Sequence, residues 1–521
     1  MAGHHATETA LASLYSELSH VSEVSLAALE RAGGSAAVAV NAYRGIAARL
    51  GGFHGEDDLA RAAEERPDLQ AALQPLGHLI WYLPEPVTPA LGSLLRAVLH
   101  AAPSDVIVGI TGAADADEAV LAGCRQVGVE VPDGEIDGIE PAVGSHIVSV
   151  TDADEEVRAV VRRIVGLAEE GVRLDRIGVF HPAPDPYVHT LQQQLAEAGL
   201  PANGPSRERL LDSVAGRTLL AALALPDERW RRGRVMALVS GGPVRHGEER
   251  TFPTSWERLS RQAGVVQDLG DWRGKLGAHA QALGYRIAAV DDPEEQARFV
   301  AYLERERDDA VALADFVDDL ADAVAAVDAA GGWVAKADAA RRLLHQLLGA
   351  EHRRQGWPER EQIAATRVED ALTRLAALAE VEPDPSPAVF RRALTAELDV
   401  TRGRVGRFGD GVVYGPLQGA VGADLDAVFI VGLTEGQCPA PRRDDSLLPD
   451  EARALAAEGE LPLRAARLAD QHRHFLAALA AAPPGRRFLT FPRGDLRGGR
   501  HQLPSRWLLH TASALAGHTV Y

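Results

Sequence analysis

Lysine is almost absent from this 521-residue chain: Lys275 and Lys336 are the only two, so 52 of the 54 basic side chains are arginine. A site that needs an ammonium group, to neutralise a nucleotide phosphate or to assist a metal-bound water, has only these two places to form. Cysteine is equally scarce. Cys124 and Cys438 stand far apart and outside any CxxC or Cys/His cluster, which argues against a disulfide framework or a structural zinc and for a reducing cytoplasm. No run reaches the roughly 18 uninterrupted apolar residues of a membrane span, and the first thirty residues lack the basic and apolar regions of an export signal. Acidic residues outnumber basic ones by 74 to 54, a formal net charge of -20, so the surface as a whole repels phosphate backbones and anionic membranes. Any nucleic-acid contact has to be local.

What is present reads as a soluble globular chain of about three to four domains. Apolar positions at helical spacing over 8 to 33 and 57 to 74 precede a buried strand at 79 to 83, a helix at 90 to 99 and an apolar strand at 106 to 110, the alternation of a parallel α/β sheet. A second such series begins at 146. A strand at 146 to 150 leads through Asp152, a helix N-cap with Glu155 three residues on, to a helix ending near 170, a strand at 177 to 180 and a helix over 187 to 198 closed by Gly199. From 226 to 400 the pattern is helical, with arginine and acidic residues and almost no strand signal. Strand character returns at 412 to 414 and 427 to 432, then a helix over 468 to 482, a strand at 488 to 491 and a helix-like run from 505 to 516.

The strongest local signal is residues 426 to 439, Asp-Ala-Val-Phe-Ile-Val-Gly-Leu-Thr-Glu-Gly-Gln-Cys-Pro, a buried strand running into the turn at Gly432, Glu435 and Gly436. This V-F-I-V-G-x-x-E-G-x-x-P string resembles motif V and its following strand in UvrD/Rep-type superfamily-1 helicases. Residues 176 to 201, with Phe180, His181, Pro182 and Tyr187, resemble that family's motif IV, and 470 to 482 fall where motif VI belongs. The resemblance covers 146 to 482 well and 75 to 120 weakly. It implies P-loop NTPase-like (RecA-like) parallel sheets with a large all-helical insertion, the family's domain 2B.

Matched position by position, the family's polar apparatus is half gone. In motif V, Gln418 stands at the histidine, Val421 at the lysine, Gly422 at the glycine and Asp424 at the glutamate. In motif VI, Arg473 matches the first arginine, while Ala481 stands where a phosphate-contacting arginine is expected. His181 replaces the motif IV arginine. The Asp-Glu pair of motif II falls on Tyr82 and Leu83, neither of which can ligate magnesium. The nearest approach to a Walker A loop, residues 270 to 276, has its glycines one residue too close and Leu276 in place of the hydroxyl. Gly422, Asp424 and Arg473 are thus expected to be remnants of a nucleotide site that no longer works.

A PD-(D/E)XK nuclease needs an acid two residues before a lysine, and Arg273 and Val334 occupy those places. The stretch from 486 to 507 is different in kind, interleaving arginines with rings. Arg486, Arg487, Phe491, Arg493, Arg497, Arg500, Arg506 and Trp507 are expected to track a single DNA strand by phosphate contacts and base stacking. Its Phe-Pro-Arg-Gly-Asp-Leu-Arg and Leu-Pro-Ser-Arg-Trp-Leu-Leu strings resemble the segment that leads into the nuclease domain of actinobacterial AddB/RecC-like helicase-nuclease proteins.

The resemblance therefore implies a partial first RecA-like domain at 1 to 145, a second at 146 to 225 continued at 401 to 482, the 2B-like insertion at 226 to 400, and a basic linker at 483 to 521 towards a missing nuclease domain. It implies a degenerate DNA-binding scaffold of a helicase-nuclease in double-strand-break repair and recombination. Such a chain has no catalytic residues or metal of its own, lacks the ATP and magnesium that the family uses, and works in the cytoplasm with single-stranded DNA and a partner subunit that supplies motor and nuclease. A fragment of an active ATP-dependent helicase/exonuclease and a protein-interaction module without DNA binding are the alternatives.

Overall fold

A computed structural model describes residues 5–132, 138–292, 294–441, 444–457, 460–495, 499 and 501–521. The chain divides into two compact units, Met1–Pro205 with Arg404–Tyr521, and Ser206–Gly403. Eleven strands are formed by the described residues: β1 Leu79–Tyr82, β2 Ser104–Ile107, β3 His146–Val150, β4 Ile177–His181, β5 Ala202–Pro205, β6 Arg245–His246, β7 Glu249–Arg250, β8 Arg404–Val405, β9 Val412–Pro416, β10 Ala427–Ile430 and β11 Arg487–Pro492.

Seven strands of the first unit form one sheet in the order β3-β11-β10-β4-β9-β5-β8, parallel throughout except where β8 runs against β5. β10 lies directly beside β4, Ala427 opposite Ile177 and Phe429 opposite Val179. Every residue of β4 and β10 is buried, as expected of central parallel strands covered on both faces. Their side chains alternate between two cores. Val179, Ala427, Phe429 and Phe488 meet the helices Ala153–Glu169 and Tyr187–Glu197, while Phe180, Val428, Ile430 and Leu489 meet Arg467–Ala480 and Arg506–Ala516. The Asp152 carboxylate caps the first of these helices, accepting from the N–H groups of Asp154 and Glu155 at 3.0 Å.

Three expectations are corrected here. The strand at 79 to 83 is only half-buried: it pairs with β2 alone in a two-stranded sheet, leaving Ile80 and Tyr82 exposed. The helix over 57 to 74 is broken into Glu56–Glu64 and Leu69–Leu73 around Pro67, whose ring and missing N–H interrupt a helical run. The stretch from 483 onward is no linker, because Phe488, Leu489 and Thr490 are buried in β11 between β3 and β10, and Leu508 joins the core beneath.

In the second unit, a core of leucine, valine, alanine and tryptophan residues is drawn from helices including Val214–Ala224, Ala297–Ala329, Gly332–Leu348 and Glu359–Leu375. The helix Val214–Ala224, expected with the sheet, buries Ala215, Leu219 and Leu223 here, so the helical block begins earlier than residue 226. Both lysines lie in this unit and both are spent on structure. The buried Lys336 amine donates to the Asp328 and Val327 carbonyls at 2.8 and 3.3 Å, satisfying the last turn of Ala297–Ala329, and Lys275 pairs with Asp271 at 2.8 Å.

Candidate functional site

The carboxyl ends of β1 and β2, where ligands settle in α/β sheets, open onto a cleft of about 670 Å³ inside the first unit. Its walls come from several separate stretches of sequence, Ile139 to Val143 among them. Tyr82 and Leu83 lie at the end of β1, Gly109 to Thr111 come after β2, Val421 to Asp424 precede β10, and Arg473, Ala481 and Arg487 come from the helix Arg467–Ala480 and the chain leading into β11. Gly422, Asp424 and Arg473, which the resemblance makes remnants of a nucleotide site, all line this one cleft. So do Tyr82, Leu83, Val421 and Ala481, the residues without charge that stand where the resemblance puts two magnesium acids, a lysine and an arginine.

Arg473 and Asp424 of the cleft are paired within the protein itself. Arg473 is buried, not a solvated helix arginine, and its guanidinium donates to Asp117 Oδ1 at 2.7 Å and to the Gly109 carbonyl at 2.8 Å. Asp117, itself buried, also accepts from the N–H groups of Thr111 and Gly112 at 2.9 and 3.0 Å and from the Thr111 hydroxyl at 2.9 Å. Two successive backbone N–H groups, a hydroxyl and a guanidinium form an anion cradle, and an internal carboxylate fills it. Asp424 is held at the exposed rim by Arg176 at 2.9 and 3.0 Å, which keeps its carboxyl below the usual range. Leu83, with φ 50, lies between Gly109 and Gly422; a Cβ at Gly422, whose φ is +72, would meet the Leu83 methyl at 2.5 Å.

The turn after β10 serves a second buried centre. Gly432 N–H donates at 2.9 Å to Glu156, which also accepts from the hydroxyls of Tyr187 at 2.7 Å and Thr490 at 2.5 Å. Burial pushes the Glu156 carboxyl up, against the pull of these three donors. One side chain thus joins the turn after β10, the middle of β11 and the start of the helix Tyr187–Glu197 to the helix after β3. His181 lies beside it, stacked near Tyr187, and burial pulls its imidazole down to about 4. Neither Glu156 nor Thr490 was singled out from the sequence, where an acidic helix start hides which of Asp154, Glu155 and Glu156 turns inward.

Much of the arginine-aromatic stretch is turned to internal partners. Arg486 pairs with Glu170 at 3.1 Å, and Arg506 forms an ion pair with Glu435. Arg487 faces the cleft, donating to the carbonyls of Ala482 and Val143 at 2.7 and 3.2 Å, and burial lowers its basicity. Phe491 packs on the core, and Trp507 stacks on His472 and Phe475 with centroids 5.1 and 5.3 Å apart. Arg493 is exposed, bonding the Val150 carbonyl at 3.3 Å. Arg497 and Arg500 lie outside the described residues. Gly436 sits in the turn with φ +84.

Among the described residues no group of three or more His, Cys, Asp or Glu is arranged to hold a metal ion, and no helix is long and apolar enough to cross a membrane. No protein-family model and no curated protein matches this sequence.

Proposed function

We propose that this chain is a degenerate superfamily-1 helicase-like scaffold of the AddB/RecC type, which guides single-stranded DNA for a partner subunit that carries the motor and nuclease. One observation carries the reading. Positions matched to motifs II, V and VI in three distant parts of the sequence come together around one cleft at the carboxyl ends of two parallel strands; four of them, Tyr82, Leu83, Val421 and Ala481, carry no charge where the resemblance expects it, while Asp424 and Arg473 keep theirs. Chance assignment of motifs would scatter these positions. With the cradle filled by Asp117 and the space between Gly109 and Gly422 filled by Leu83, the cleft acts as a joint and the chain turns over no ATP on its own.

The test is a fluorescence titration of a labelled dT oligonucleotide, with magnesium-ATP turnover followed in the same samples. DNA binding without turnover supports the reading, and DNA-stimulated turnover that co-purifies with the chain refutes it. A second reading, a protein-interaction module without DNA binding, is favoured by the internal pairing of Arg486, Arg487 and Arg506.

A further inference from the structure

The loop between β8 and β9 shows an aromatic ring in the open. Phe408 is 99% exposed, against 68% for Tyr285, 59% for Tyr82 and 57% for Phe252, and among the described residues its ring is matched only by that of the last residue, Tyr521. It is displayed by a built turn. The Asp410 N–H donates to the Arg407 carbonyl at 3.2 Å, and Gly409, φ +76, takes the left-handed conformation that the third place of such a turn favours. The loop is anchored beside β5: Val412 N–H donates to the Pro201 carbonyl at 2.9 Å, and a side chain at Gly411 would run into that same oxygen. Phe408 therefore sits at the corner of a short, anchored turn, where its ring makes no packing contribution to the fold.

The loop and the strand before it carry two arginines and one acid. Arg407 is exposed and makes no ion pair with any described residue. Arg404, also exposed, donates at 2.8 and 3.2 Å to the Asn203 side-chain oxygen, a neutral partner that orients the guanidinium and leaves its charge uncompensated. Asp410 is the one acid of the turn. This is the reverse of the stretch from 486 to 507, whose rings pack inward and whose arginines Arg486 and Arg506 meet carboxylates.

From this we infer that the tip formed by Arg404, Arg407 and Phe408 is a contact for single-stranded DNA, with one base stacked on the Phe408 ring and the adjoining phosphates met by the two guanidinium groups. Stacking on an aromatic ring tolerates any base, and the arginines supply sequence-independent attraction, so the tip grips a strand without reading it. The inference rests on the reading of the chain as a DNA-guiding scaffold and gives that reading an address.

The experiment is anisotropy of a labelled dT oligonucleotide with the whole chain, over a series of salt concentrations. Phe408→Ala and Phe408→Leu should each weaken binding roughly tenfold at every salt, and Phe408→Trp should restore it. Arg407→Ala should reduce the magnitude of the log-log salt slope by about 0.7. Since the ring packs against nothing, all four variants should melt with the parent. If the parent binds and Phe408→Ala binds equally well, the tip is wrong and the scaffold reading stands. If Phe408→Leu binds as well as the parent, the contact is apolar and not a stacked base, and the inference fails. If the parent does not bind at low salt, the scaffold reading fails and the tip falls with it.

Discussion

Arg473 reaches Asp117 at 2.7 Å across 356 residues of sequence, both side chains being buried. The pair links the helix Arg467–Ala480 to the first turn of the helix Ala114–Gln126, and it uses the groups a phosphate would need. Removing either partner strands the other charge out of water. Asp117→Ala and Arg473→Ala should each cost about 3–5 kcal/mol, whereas the double variant should cost less than the sum of the two. Urea denaturation of the four proteins measures this, and additive losses would show that the two residues act independently.

With its cradle filled by Asp117 and no charge at Tyr82, Leu83, Val421 and Ala481, the cleft is expected not to take magnesium-ATP. Saturating magnesium-ATP should leave the melting temperature unchanged, since only a ligand that prefers the folded state raises it. A rise that grows with ATP concentration would mean that Asp117 and Leu83 yield to the nucleotide.

Glu156 gives stability a pH dependence of known sign. Burial raises its folded pKa above the unfolded value, so its contribution is complete below the unfolded value and is lost as pH rises through the folded one. Glu156→Gln keeps an oxygen for Gly432 N–H and the Thr490 hydroxyl but cannot ionise. It should therefore flatten the decline of stability on the alkaline side, while Glu156→Ala, which leaves three buried donors unpaired, should cost about 3 kcal/mol or more at every pH. Parallel pH curves for the parent and Glu156→Gln would put the ionisation elsewhere.

The two ends of the helical unit meet, Ser206 N–H donating to the Gly403 carbonyl at 2.8 Å, and its core is drawn from residues 210 to 398 alone. Residues 206 to 403 expressed by themselves should give a helical protein with a cooperative melt. A molten, dye-binding product would show that the core needs the rest of the chain.

The sheet was legible in the sequence because its central strands are continuous apolar runs punctuated by glycine and proline, the expected signature of strands buried on both faces. The half-exposed β1 was not, since Leu-Ile-Trp-Tyr reads as buried whether it has one neighbouring strand or two. The cleft itself is not legible in the sequence: family spacing gives places to Val421 and Ala481 but says nothing of Asp117 and Leu83, which belong to a region where the resemblance is weak. Nothing in residues 486 to 507 reveals that Arg486 meets Glu170 and Arg506 meets Glu435, because each acid lies far away in sequence. Phe408 gave no periodic signal at all, and its meaning comes from exposure.

The central claim is that this chain holds single-stranded DNA without a motor of its own, and the most direct measurement is the salt dependence of dT-oligonucleotide binding with and without magnesium-ATP. With about three arginines on phosphates, for instance Arg404, Arg407 and Arg493, log affinity should fall against log salt with a slope near -2, at about -0.7 per contact, and ATP should leave the line where it is. No binding at low salt, or a line displaced by ATP, would contradict the account.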